Sequence, residues 1–167
     1  MSLKTIHIMV GLPRSGKSTY AAKLSVEFNA PIVNPDSVRL ALHGQAFIPT
    51  AEQMVWAIVD YMIKSLLMCH DHVILDATNT VVERREHFIN MADTAIGYRM
   101  LCPHETIEAR ADEVGFPMIV IRNMRTKFNE PSQDEGFSHI NRVEGYDVKD
   151  LPFDLLCKYH SSLPPKG

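Results

Sequence analysis

The sequence predicts an α/β domain built on a parallel sheet, and three observations predict it. Short apolar runs alternate with longer stretches of helical periodicity from Thr5 to Val143. The apolar runs end in small and polar residues, as strands do at the ligand-binding edge of such a sheet. The chain has 167 residues, 46% apolar and 22% charged, which suits one domain with a single sheet covered on both faces.

The elements follow in order. Thr5–Val10, "TIHIMV", reads as a buried strand, and "KSTYAAKLSVEF" after it has helical spacing. Pro31–Asn34 is a short apolar run, and "DSVRLALHG" is a short helix closed by Gly44. Thr50 and Gln53 form a capping box opening the helix "AEQMVWAIVDYMIKSLLMCH", whose apolar residues cover more than half its circumference and predict deep burial. "HVILDA", residues 72–77, is the third strand. Thr80 and Glu83 form a second box, opening a helix to about Asp93. "IGYRMLC", residues 96–102, is the fourth strand, and "ETIEARADE" the helix after it. Gly115-Phe116-Pro117 breaks the chain, Met118–Phe128 resumes a helix, and "FSHINRV", residues 137–143, is the last strand. The whole, residues 1–167, reads as one domain with its core at about 5–143 and a C-terminal extension at 144–167, ending in a loose tail.

The first strand runs into "GLPRSGKST". From Gly11 to Ser18 this spells Gly-x-x-x-x-Gly-Lys-Ser between a strand and a helix. Gly11 and Gly16 allow left-handed backbone and close approach to an anion, so the amides from Leu12, Pro13, Arg14 and Ser15 onward can surround phosphates. Proline alone in that run offers no amide hydrogen. The helix starting near Lys17 adds its positive end. Lys17 would reach the β- and γ-phosphates of ATP, Ser18 would ligate Mg²⁺, and Thr19 completes the loop. The implied fold class is a three-layer P-loop NTPase, adenylate-kinase-like, with a five-stranded parallel sheet in the order 2-3-1-4-5.

Composition narrows the partners. A net charge of −3 and a pI near 6.2 exclude broad coating of a polyanion, though a local basic groove is compatible with both. Cys69, Cys102 and Cys157 are odd in number and widely spaced, as suits reduced thiols in the cytoplasm. Neither a leader nor a membrane span is expected from "MSLKTIHIMV". Cys69, His70 and His72 cluster, but they read as a helix end and a strand start rather than a metal site.

Two strand ends carry candidate chemistry. After the second strand, Asp36 and Arg39 lie three apart and share a helix face. Asp36 is either a general base held by Arg39, or part of a helix cap supplied by Asn34 or Asp36, with Arg39 solvated. After the third strand, "LDATNT" places Asp76 either where a Walker B residue meets the Mg²⁺ shell, with Thr78 and Asn79 beside it, or in an internal hydrogen bond, with Asn79 or Thr80 capping the next helix. Arg84 and Arg85 read as a solvated helix face; Arg110, Arg122, Arg125 and Lys127 are further cations, of which one or two should reach the γ-phosphate.

Four stretches, "GLPRSGKST", "NPDSVR", "LDATNT" and "MRTKFNEPSQDEGFSHI", together resemble the 5′-hydroxyl polynucleotide kinase family, which comprises phage enzymes and the kinase domain of an animal kinase–phosphatase. The resemblance implies ATP-dependent transfer of a γ-phosphate to a 5′-OH end. It implies that Asp36 is the general base, that Arg39 contacts both the acceptor phosphate and the strand-end aspartate, and that Asp76 is that aspartate. Two departures stand out. Pro35 replaces a basic residue, and the lid "RADEVGFP" carries Arg110 but has Val114 where a second arginine is usual. The missing role falls to Arg110, or to Arg122 or Arg125 on the next helix, with Arg122 also a nucleotide contact. The acceptor is then a nucleic acid 5′-OH end, with Arg39 and two or three of Arg84, Arg85, Arg122 and Arg125 on its phosphates. An acidic lid suits instead a small hydroxylated metabolite or nucleoside, and the missing arginine suits a non-catalytic nucleotide-binding module.

Overall fold

A computed structural model describes residues 2–44 and 47–147; the extension past Asp147, with Cys157, lies outside them. The strands are β1 (Thr5–Val10), β2 (Ile32–Val33), β3 (His72–Leu75), β4 (Thr94–Leu101) and β5 (His139–Glu144). The helices are α1 (Lys17–Glu27), α2 (Pro35–His43), α3 (Glu52–Cys69), α4 (Val82–Ile89), α5 (His104–Glu113) and α6 (Met118–Thr126). All strand pairs are parallel and the order is β2-β3-β1-β4-β5, as expected from the sequence.

The apolar run of β1 follows from its central place, with Ile8 level with Leu75 of β3 on one side and Gly97 of β4 on the other. Alternate residues serve the two faces. Ile6, Ile8 and Val10 pack with Val55, Val59 and Ile63 of α3 and Phe88 of α4. Met9 packs with Ala21 and Leu24 of α1 and with Met100. Within the strand His7 is fully buried between the Tyr98 hydroxyl and His72, each at 3.0 Å. That pairing accounts for His72, and no three His, Cys, Asp or Glu side chains among the described residues are grouped so that they could hold a metal ion. A third small core under Leu12 joins α5 to α6 through Ile107, Ala111 and Ile121.

Both capping boxes fail, for different reasons. Pro49 opens a 3-10 turn over Pro49–Ala51, so helical geometry starts before Thr50 can act as a cap, and no side chain caps α3. At α4 the chain enters through Asn79, whose left-handed φ of 45° turns it after β3. Thr80 gives its carbonyl to the Asn129 amide, and Val81 stands at the cap position. The helix therefore starts one residue later than the box requires, and no side chain caps it. This helix also stops at Ile89 rather than near Asp93, because β4 begins at Thr94 by donating to the Lys4 carbonyl.

The solvated reading of the Arg84–Arg85 pair fails for Arg85, which is fully buried. Its Nε and Nη2 donate to the two Glu135 oxygens at 2.6 and 2.7 Å, and its Nη1 to the carbonyls of Asn79 and Asn129 at 2.9 Å. Helix α4 is thereby fastened to the "NEPSQDEG" segment. Glu135→Ala is expected to strand this guanidinium and lower stability by about 3 kcal/mol, a Tm drop of about 6–12 °C by thermal melting. A drop under about 2 °C would show that the ion pair adds little.

Candidate functional site

The loop between β1 and α1 is shaped by two glycines with different tasks. Gly16 is left-handed, with φ 95°, and a Cβ there would lie 2.6 Å from the Tyr146 carbonyl oxygen. Gly11 is not left-handed, contrary to expectation. It is needed for space, since a Cβ would meet Ser15 Oγ at 2.8 Å and Met100 Cβ at 3.1 Å. Arg14 supplies a second left-handed turn, with φ 65°. The Gly11 amide donates to the Thr78 carbonyl at 3.0 Å, which ties the loop to the end of β3.

Lys17 is buried within this loop. Its Nζ turns back to the Leu12 carbonyl at 2.7 Å. Burial pulls its pKa from 10.5 down to about 8, against the pull of Asp76 and then Asp36. Ser15 Oγ is buried without a partner, while Ser18 is exposed at the first turn of α1. A buried ammonium held by one carbonyl, an unpartnered hydroxyl and a left-handed glycine at a helix start fit a triphosphate. For Mg²⁺ the protein offers Ser18 with Asp76 at the neighbouring strand end, a sparse set that suits a metal arriving with the nucleotide.

The titration of Lys17 has a testable consequence. Phosphates favour the charged amine, so ATP affinity is expected to be full below pH 8 and to fall up to tenfold per unit as pH rises through that value. Kd measured between pH 7.5 and 10 should show this for the native protein and not for Lys17→Arg. Equal profiles for the two would refute it.

At the mouth of the loop, Asn34 settles which residue caps α2. Its Oδ1 accepts from the Ser37 amide at 3.1 Å, and its Nδ2 donates to Asp76 Oδ2 at 2.9 Å. The cap is Asn34, which leaves Asp36 free of that task. Asp36 is 73% exposed and is joined to Arg39 Nη1 at 2.7 Å. Pro35, where the resemblance leads one to expect a basic residue, takes the first helical position of α2.

Arg39 is neither solvated nor in contact with Asp76. Its Nε and Nη2 both donate to Glu52 at 2.7 Å, and its side chain is 13% exposed. Helix α3 brings Glu52 to Arg39, while Asn34 has already taken Asp76. The pairing holds the Glu52 carboxyl below its ordinary range.

On the lid side, Arg110 reaches the loop. Its Nη1 donates to the Arg14 carbonyl at 3.1 Å, and its Nη2 pairs with Asp147 at 3.2 Å. With Arg14, Lys17, Ser18 and Thr19 it lines a cleft of about 160 Å³. A larger cavity of about 560 Å³ opens beside it, between Leu12, Ser15, Cys102 and Ile107. Val114 ends α5 exposed. Arg122 lies exposed on α6, and among the described residues no contact joins it to the loop. Arg125 pairs with Glu108 of α5 at 3.6 Å. Of the lid candidates, Arg110 alone is therefore brought to the loop among the described residues. Glu52 was not read from the sequence as a site feature; its pairing with Arg39 is a contact between helices with no local signature.

No helix among the described residues is long and apolar enough to cross a membrane. The bifunctional polynucleotide phosphatase/kinase of Schizosaccharomyces pombe is 26% identical over 94% of this chain and 36% of the yeast protein. A chain of the Pnkp1/Rnl/Hen1 complex is 26% identical, with a TM-score of 0.60 over 66% of this chain and 40% of its own. This chain thus spans well under half the length of those two relatives. A gluconokinase from Sinorhizobium meliloti 1021 shares the fold, with a TM-score of 0.63 at 12% identity over 98% of this chain and 100% of its own. Residues 6–131 match the family described as AAA domain, so the chain belongs to that family, and within it the chain is similar to P-loop kinases of the polynucleotide-kinase type.

Proposed function

We propose that the protein transfers the γ-phosphate of ATP to the 5′-OH end of a polynucleotide. The observation that carries this is the state of Asp36: relieved of capping by Asn34, held by Arg39 and open to solvent within electrostatic reach of Lys17. An acceptor hydroxyl at Asp36 gives its proton to the carboxylate as its oxygen bonds to the γ-phosphorus. The bond from that phosphorus to the β,γ-bridging oxygen breaks, and ADP leaves. Lys17 and the loop amides hold the phosphates, and Arg110 stands where charge builds on the transferred group. Mg²⁺, held by Ser18 and near Asp76, would neutralise phosphate charge. Cytoplasmic ATP would serve as donor.

The likeness to a named polynucleotide phosphatase/kinase supports a strand acceptor. The second reading, a small hydroxylated metabolite, is favoured by the short acidic lid, with Asp112 and Glu113 exposed on α5. With Arg85 buried and the Arg39 donors engaged by Glu52 and Asp36, Arg84 is the strand contact available at the acceptor side, so log Kd against log salt should have a slope of magnitude about 0.7. Radiolabelled ATP offered with a 5′-OH oligonucleotide or pooled metabolites decides between them. Label on the oligonucleotide is expected. Label on a metabolite selects the second reading, and nucleotide binding without transfer makes this a binding module.

A further inference from the structure

Arg84 and Arg85 are neighbours with opposite fates. Arg85 spends its donors on Glu135 and three backbone carbonyls. The Arg84 guanidinium instead lies over the Trp56 indole, 3.5 Å from the ring centre, and among the described residues nothing accepts a hydrogen bond from it. Stacking engages the face of a guanidinium and leaves its five N–H groups free at the edge. The nearby carboxylates are committed elsewhere, Asp60 to His87 at 2.8 Å and Glu52 to Arg39. Burial pulls the Arg84 pKa below its ordinary value, with Asp60 and Glu52 opposing at a distance. The result is a braced, half-buried cation with its donors unspent.

Its position gives that cation a use. From the mouth of the phosphate loop, Asp36 holds Arg39, and Arg39 holds Glu52 on the first turn of α3. One turn further along α3 stands Trp56, which carries Arg84. Arg39 has Nε, Nη1 and Nη2 all engaged by carboxylates, so it has little left for an acceptor. Arg84, next along the same ledge, has what Arg39 lacks. A guanidinium edge matches two phosphate oxygens at once, and the indole beneath removes much of the ordering entropy.

We infer that Arg84, braced on Trp56, is a phosphate-holding site on the acceptor path, taking a phosphodiester that lies beyond the reacting hydroxyl. It selects a strand over an unphosphorylated sugar. The inference rests on the reading of Asp36 as the base that receives that hydroxyl.

Trp56 is the single tryptophan of the chain, so its fluorescence reports on this site without any turnover. A 5′-OH hexanucleotide titrated into the native protein in the absence of ATP is expected to change the emission saturably. In Arg84→Gln the midpoint should move about tenfold higher, as for one lost charge-assisted contact. The salt slope should shrink by about 0.7. Arg84→Lys, which keeps the charge without the flat edge, should fall between. In turnover, Arg84→Gln should lower kcat/KM about tenfold more for the hexanucleotide than for a nucleoside carrying no phosphate.

An Arg84→Gln midpoint equal to the native one overturns the site. So does an equal loss for strand and nucleoside, or competition by inorganic phosphate at the same concentration as the strand. The two readings fail separately. Arg84-dependent strand binding with no phosphate transfer refutes the kinase proposal and keeps the site. Transfer to the oligonucleotide with native behaviour in Arg84→Gln refutes the site and keeps the kinase.

Discussion

Lys17→Met is expected to abolish phosphate transfer, by roughly 10³-fold or more, in a protein that melts no lower than the native one. The two halves of that expectation come from one observation. Lys17 is a buried ammonium whose nearest partner is the Leu12 carbonyl, and burial has already pulled its pKa to about 8. Methionine keeps the length and the apolar stem but removes a charge that the fold desolvates. Stability should therefore hold or rise slightly. Transfer should not survive, because donors aimed at charge that develops on phosphate are worth roughly 10²–10³ each in rate, and this one acts on the β- and γ-phosphates together. Single-turnover transfer from labelled ATP and a thermal melt on the same preparation test both halves. Native turnover in the variant would end the kinase reading. Lost turnover with a Tm several degrees lower would mean that the loop itself had come apart, contrary to the packing seen.

What the sequence made legible was mostly local. The buried run of β1, the glycine at Gly44 that closes α2 and the Gly115-Phe116-Pro117 break each have a cause within a few residues, and each stands where it was read. The failures share a different cause. Thr50 and Thr80 have the right spacing to cap helices, but Pro49 starts the first one early, and in the second the Asn129 amide holds the Thr80 carbonyl while Val81 stands at the cap position. Arg84 and Arg85 are indistinguishable as letters. Only the approach of Glu135, fifty positions on, buries one of them while Trp56 braces the other.

The site divides along the same line. Lys17, Ser18, Asp36 and Asp76 are readable because a parallel sheet brings its strand ends to one edge, so sequence position fixes spatial position. Glu52 was invisible because its role is to meet Arg39 across two helices. Asn34 was read as one of two possible caps, and its second bond, to Asp76, links two strand ends that no spacing rule connects. The departures at Pro35 and Val114 were legible as letters. The placement of the lid arginines was not: that Arg110 sits against the Arg14 carbonyl while Arg122 stays away is a matter of how α5 and α6 pack.

Asp36→Asn is the sharpest test of the proposed chemistry, because the fold gives the cap of α2 to Asn34 and not to Asp36. Asparagine keeps the shape of the side chain and loses the proton acceptor, so kcat should fall by roughly 10²–10⁴. Arg39 should stay in place, since Glu52 holds it through two bonds at 2.7 Å. Asp36 is 73% exposed, so the lost ion pair should cost at most about 1 kcal/mol. ATP affinity at pH 7 should be unchanged or slightly higher, because a negative charge near the phosphates has gone. Above pH 8 it should fall sooner than in the native protein, since Asp36 helps to keep Lys17 charged. Asn34→Ala supplies the contrast: it removes the cap and the Asp76 partner and is expected to lower stability by about 1 kcal/mol. A large kcat loss in Asp36→Asn at near-native Tm, with a Tm loss in Asn34→Ala, assigns proton transfer to one residue and capping to its neighbour. If Asp36→Asn turns over within a few-fold of the native protein, the acceptor proton leaves by another route and Asp36 is only a surface partner of Arg39.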